Sequence, residues 1–411
     1  MTESRGLGIP QGTAMTIGAV LGTGVLTLPA LAAQVAGPAS LVAWFALVLI
    51  SIPLAATFAG LGARHPDGGG VATYARLAFG RRAATVVGWW FYLGVTMGAP
   101  PAAGFAGSYV ADLLGGGRTT QIATATVLIA VVVGLNWFGI RISGRLQLVI
   151  AGALALLLAI STLVALPHVD LANLRPFVPY GWGAVGAAAA LLVWAFAGWE
   201  AVASLSGEYA NPEREIRIVT AAALVVIGVL YLGVAFAVVA VLGPNPSNAP
   251  LSDLLALGFG PRARPVTTIV AVLLSLGAMN AYLASASRLG AALGRDGSLP
   301  SWWAVTHAGV PRRSLVVVAT LATATLVVVG ASGLPLESTL LLVTGAFTLV
   351  YVIGTAAATK LLPRWSLVWW CAVVSLVATA ILAILTGAHM GGAIAIAIGA
   401  LLYTVATRRQ A

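Results

Sequence analysis

Twelve stretches of this 411-residue chain stay apolar for about the length a helix needs to cross the hydrocarbon of a bilayer. They run over 11–34, 38–62, 83–113, 119–139, 144–166, 183–207, 216–242, 265–292, 313–331, 336–361, 364–386 and 390–407. A chain built this way has too much apolar surface for one water-soluble core. Only 8% of its residues are charged, against about 25% in soluble domains. That balance excludes a soluble globular enzyme, a disordered protein and a disulfide scaffold. The lone Cys371 excludes an intramolecular disulfide and a Cys-based metal site. The expected class is an all-α integral membrane protein embedded in a lipid bilayer.

The net charge of +10 invites a nucleic-acid reading, but that needs a clustered basic face. Here the basic residues lie a few at a time between apolar runs, so no nucleic-acid partner is expected. With the amino terminus in the cytoplasm, only Arg118, Arg175, Arg262 and Arg264 fall in outer segments, and the inner segments hold the rest of the 21. This is the positive-inside pattern, and it places both termini in the cytoplasm of a multi-pass protein. No cleavable signal peptide is expected, because the first apolar stretch lacks a charged run before it. In the inner loop 64–82, Tyr74, Leu77, Ala78 and Phe79 fall roughly on one face of a short helix. Such a helix is expected to lie in the headgroup layer or to act as an inner gate.

Two spans carry an interruption. The first reads Val20-Leu21-Gly22-Thr23-Gly24-Val25 with Pro29 beyond, a locally poor helix at bilayer depth. The sixth reads Trp194-Ala195-Phe196-Ala197-Gly198-Trp199-Glu200. They begin the two halves of a ten-helix unit, and paired Gly-broken spans point to a transporter binding site. Unwound backbone at that depth is tolerated where it lines a cavity or is buried in protein. Free amides at one half-helix start can hold a carboxylate, and free carbonyls at the other half-helix end can hold an ammonium. The bland alternative is close helix packing over small residues.

Glu200 is the one acid well inside a span. A carboxyl there costs at least about 2.5 kcal/mol, so it is read either as a group that gains and loses a proton during transport or as a tie to a neighbouring helix. The four His residues lie in loops or at span ends without partners at metal-ligand spacing, so no metal and no cofactor is expected. No nucleophile–base set is visible, and an enzyme is not expected.

These pieces resemble the amino acid–polyamine–organocation transporter superfamily over nearly the whole chain. The resemblance rests on Leu21-Gly22-Thr23-Gly24-Val25 with Pro29, and on Pro66-Asp67-Gly68-Gly69-Gly70-Val71 with Tyr74 and Phe79-Gly80. Trp194 to Glu200 with Asn211-Pro212-Glu213-Arg214, and Ser287-Arg288 through Asp296-Gly297-Ser298-Leu299-Pro300, complete it. Within the superfamily, Gly22 to Ala36 and Gly69 to Ala72 are most similar to a bacterial exporter of methionine and branched-chain amino acids.

The resemblance implies a LeuT-like fold of two inverted five-helix repeats, over 11–166 and 183–361, with two added helices over 364–407. It implies alternating access in a bacterial inner membrane. The substrate carboxylate would meet the amides of Gly22, Thr23 and Gly24, and its amino group the carbonyls near Val20, Ala195 and Phe196. Leu21, Ala197, Gly198, Met279 and Asn280 complete the implied substrate site, with Trp194 as aromatic gate and Glu200 as the proton-coupling acid. The implied activity is export of methionine, leucine, isoleucine or valine coupled to the proton gradient. Exchange of amino acids or polyamines, proton-coupled import by the same fold, and a non-transporting sensor remain open alternatives. Met97 and Met279 suit branched or thioether side chains. Ser285 and Ser287, one residue apart, do not form the adjacent hydroxyl pair that a sodium site in this fold uses.

Overall fold

Helices account for nearly all regular structure in the computed structural model, which describes residues 8–65, 70–139, 144–200, 209, 211–307, 309–335 and 339–408. Residues 66–69 of the loop signature and 201–208 of the sixth expected span lie outside these residues, as does Arg5. The first span is two pieces, α1 (Ile9–Leu21) and α2 (Leu28–Ala36), with Pro29 in the first turn of α2, where its missing N–H is harmless. Then follow α3 (Ser40–Arg64), α4 (Gly70–Phe79), α5 (Arg81–Leu114), α6 (Gly117–Trp137) and α7 (Gly144–Ala165). The sixth span contributes α8 (Trp182–Phe196), which stops at its own break.

Pro212 opens α9 (Pro212–Ala237), where Glu215 reaches back to accept from the Asn211 N–H at 2.9 Å and caps the helix start. The chain continues through α10 (Pro250–Phe259), α11 (Ala263–Arg295), α12 (Arg312–Ser332), α13 (Leu340–Leu361), α14 (Leu367–Thr386) and α15 (Met390–Arg408). Except for the sixth, which is helical from Trp182 to Phe196 against the expected 183–207, the helical boundaries among the described residues follow the expected apolar stretches to within a few residues.

Among the described residues, eight helical stretches are long and apolar enough to cross a membrane by length and composition. The difference from the twelve expected stretches lies in four places. The stretch Leu367–Thr407 joins two consecutive helices, and the broken helices α1 and α8 have only 13 and 15 residues. Gly, Pro and polar residues dilute the apolar character of α5.

One sequence expectation is corrected. In α4, Tyr74 is fully buried while Leu77 and Phe79 are exposed, so these side chains do not form one uniformly exposed apolar face. The helix packs its Val71, Tyr74 and Ala75 side against α5 and α13.

The broken helices lie at the centre. α1 packs on α7 and α9, and α8 packs on α13 and α3. α5 and α11 make another extensive contact beside them. On the side where α2 emerges, the segment 244–262 with α10 is tied down. Thr27 Oγ1 donates to the Asn248 carbonyl at 3.2 Å, and Gln34 Nε2 donates to the Pro246 carbonyl at 2.8 Å. Arg264 grips Asp112 at 2.9 Å and Asp253 at 3.2 Å, linking the ends of α5 and α11 to α10.

Candidate functional site

The first break is made by Gly22, whose φ of +46° and ψ of −159° suit glycine alone. Its N–H still reaches the Gly18 carbonyl at 3.4 Å, and the chain then turns through Thr23 and the 3-10 turn Gly24–Leu26. In the sixth span, Ala197 turns extended after Phe196 and Gly198 follows at φ +130°. The two breaks touch. A Cβ on Gly198 would stand 2.7 Å from the Ala19 carbonyl oxygen and 3.0 Å from the Val20 Cα.

Breaking two helices frees carbonyls that buried protein must satisfy. Tyrosines do this. Tyr231, from α9, points its hydroxyl at the Val20 carbonyl (2.9 Å), the Ala195 carbonyl (2.7 Å) and, more distantly, the Leu21 carbonyl (3.4 Å). Its ring is held edge-on against Trp44 at 5.1 Å and Phe196 at 5.2 Å. Tyr282, from α11, donates to the Ala19 carbonyl at 3.3 Å, and Tyr109, from α5, donates to the Leu26 carbonyl at 2.6 Å.

Glu200 folds back onto its own break. Its Oε2 accepts from the Gly198 N–H at 2.9 Å and from the Tyr351 hydroxyl, on α13, at 2.5 Å. Tyr351 lies 3.3 Å from the Phe196 carbonyl as well, so acid, phenol and unwound backbone form one cluster. Both the proton-handling and the helix-tying readings of Glu200 are compatible with these partners.

Two cavities meet here. The smaller is walled by the first break from Val20 to Gly24 and by Trp194, Ala197 and Glu200. Val95, Ala99, Ala102, Met279, Leu283 and Phe347 make its remaining wall apolar. The other, larger one runs along the carboxyl-terminal half of α1 past Ala14, Met15 and Gly18, with Ile150, Leu154 and Ser285 opposite. Gly22, Glu200 and Tyr282 line both. Trp194 stands at the wall of the smaller cavity, edge-on to Phe105 and Phe347 at 6.5 Å each.

The structure therefore brings Val20, Leu21, Gly22, Thr23, Gly24, Trp194, Ala197, Met279 and Glu200 together around one space, and Gly198 lines the adjoining one. Ala195 and Phe196 are buried behind that wall, with the Ala195 carbonyl already facing Tyr231. Asn280 departs from the expectation. It is 4% exposed, and its Oδ1 accepts from Asn136 Nδ2 on α6 at 2.8 Å, away from the cavity lining. Met97 is not part of that lining either. Sequence reasoning missed Tyr231, Tyr282, Tyr351, Phe347 and Gly98. A tyrosine in mid-span was the available signal, because a buried phenol hydroxyl needs a partner. Among the described residues, no group of three or more His, Cys, Asp or Glu could hold a metal ion.

Comparison with known proteins identifies the family. The model of the amino acid permease family matches residues 7–406. The chain is 33% identical over 377 residues to the uncharacterized amino acid permease YecA of Bacillus subtilis, covering 90% of this chain and 89% of that one. It is 30% identical over 364 residues to the L-methionine/branched-chain amino acid exporter YjeH of Escherichia coli, covering 87% and 86%. It is 28% identical over 327 residues to the branched-chain amino acid permease BcaP of Bacillus subtilis, covering 74% and 70%. A match across the whole helical bundle, with both breaks inside it, carries the resemblance read from the motifs: the chain belongs to the amino acid permease family of the amino acid–polyamine–organocation superfamily, a family of membrane transporters.

Proposed function

We propose that this protein is a secondary transporter of neutral amino acids with apolar side chains, methionine, leucine, isoleucine and valine, working by alternating access in a bacterial inner membrane. The observation that carries this reading is the chemistry of the smaller cavity. Its backbone end is the unwound Gly22–Gly24 segment, its far wall is aliphatic and aromatic, and Glu200 is its one acid among the described residues. The amides of Thr23 and Gly24, at the start of the 3-10 turn that precedes the second half-helix, suit a carboxylate. The Val20 carbonyl, which accepts from Tyr231, keeps a second lone pair that suits an α-ammonium, while the Ala195 carbonyl is buried behind the wall. A charged substrate side chain would enter the apolar wall without a counter-charge, which is costly.

The twelve-span architecture with two inverted five-helix repeats goes with this reading. Its support is a crossed symmetry of packing. α1, first of one half, packs on α7, last of its own half, and on α9, second of the other. α8, first of the second half, packs on α13, last of its own half, and on α3, second of the first. Glu200 is the group through which proton coupling would act, and export is the direction suggested by similarity to YjeH, an L-methionine/branched-chain amino acid exporter.

Competition by all twenty amino acids against labelled leucine in proteoliposomes, with and without an imposed pH gradient, tests the reading. Methionine, leucine, isoleucine and valine are expected to displace label best. Better displacement by arginine, lysine or glutamate would overturn it.

A further inference from the structure

We propose that Gly98, on α5, sets the size of side chain the carrier accepts by fixing how far the Trp194 indole stands into the substrate cavity. The inference rests on the neutral amino acid reading above and adds a determinant on a helix that neither break contains.

Trp194 is clamped end to end between two glycines. At its five-membered end, a Cβ on Gly24 would stand 2.6 Å from Cδ1 and 3.1 Å from Nε1. At its six-membered end, a Cβ on Gly98 would stand 2.7 Å from Cη2 and 3.0 Å from Cζ3. The indole thus spans from the first break to α5 because both ends lack a methyl group. It cannot yield sideways easily, since Phe105 and Phe347 stand edge-on to it.

The open direction is the smaller cavity, which Trp194 and Gly98 both line. A methyl group on residue 98 needs roughly 1 Å of relief to reach ordinary van der Waals separation, and the indole supplies it by leaning inward. Its new position takes space from the apolar wall of Ala99, Ala102, Met279 and Leu283, which faces the substrate side chain. The amino and carboxylate end is held by backbone and is not affected. Leucine and methionine therefore lose more than alanine, and one methylene of misfit is worth about tenfold or more in such pockets.

The test is counterflow of labelled leucine, methionine and alanine in proteoliposomes holding the wild type, Gly98→Ala, and Gly98→Ala combined with Trp194→Phe. Gly98→Ala is expected to lower the leucine-to-alanine and methionine-to-alanine ratios about tenfold. The double variant, with a smaller ring, is expected to restore them. An unchanged ratio in Gly98→Ala overturns the inference, as does a loss for all three amino acids that the double variant does not relieve. If the wild type carries neither leucine nor methionine, the neutral amino acid reading falls first and the Gly98 assignment with it. Wild-type transport with an unmoved ratio removes the Gly98 assignment alone.

Discussion

The backbone of Gly198 lies directly against that of Ala19: a methyl group on Gly198 would stand 2.7 Å from the Ala19 carbonyl oxygen. The two unwound segments are therefore packed as one unit, and Gly198 also sits at φ +130°, where an L side chain is strained. Gly198→Ala is expected to abolish transport and to destabilise the fold by about 1–3 kcal/mol. The thermal midpoint of the detergent-solubilised protein, followed by size-exclusion chromatography, reads the second effect. A variant with wild-type transport and midpoint would show that the breaks do not need this approach.

Gly24→Val should eliminate substrate binding while the protein still inserts and purifies as a monodisperse species. The valine Cβ meets the Trp194 indole at 2.6 Å, at the place where the substrate carboxylate is proposed to approach. Binding is measured by the thermal shift that methionine or leucine induces. A normal shift in this variant would place the substrate elsewhere.

Glu200→Gln keeps the shape of the side chain and can still accept from the Gly198 N–H and the Tyr351 hydroxyl, but it carries no titrating proton. Exchange is expected to persist and its dependence on pH to flatten. The comparison is counterflow of leucine across pH 5 to 8, a range of about three units around neutrality. A profile superimposable on the wild type would assign Glu200 to tying the broken helix alone.

Tyr231→Phe removes the hydroxyl shared by the Val20 and Ala195 carbonyls in a fully buried site. Leaving these acceptors unpaired costs about 1–3 kcal/mol. The expected result is a lower thermal midpoint together with weaker leucine binding. Loss of stability with unaltered affinity would make Tyr231 a packing residue with no part in shaping the site.

The elements of this site differ in how plainly the sequence announces them. Gly22-Thr23-Gly24 followed by Pro29 is a local defect in an apolar run, and Glu200 is a charge where charges are costly, so both stand out by themselves. Trp194 is legible from its place beside the second break. Tyr231, Tyr282, Tyr351 and Gly98 come from α9, α11, α13 and α5, spans whose apolar pattern conceals which face turns inward. Their roles depend on tertiary approach to carbonyls or rings hundreds of residues away in some cases, as with Tyr231 and Val20. Asn280 shows the converse. A polar residue one position from Met279 reads as a site residue, yet helical geometry turns it about 100° away, toward Asn136.

The segment 244–262 is fastened onto α2, whereas the larger cavity runs along α1. Opening beside α2 requires releasing the Thr27 and Gln34 bonds and the Arg264 grip on Asp112 and Asp253.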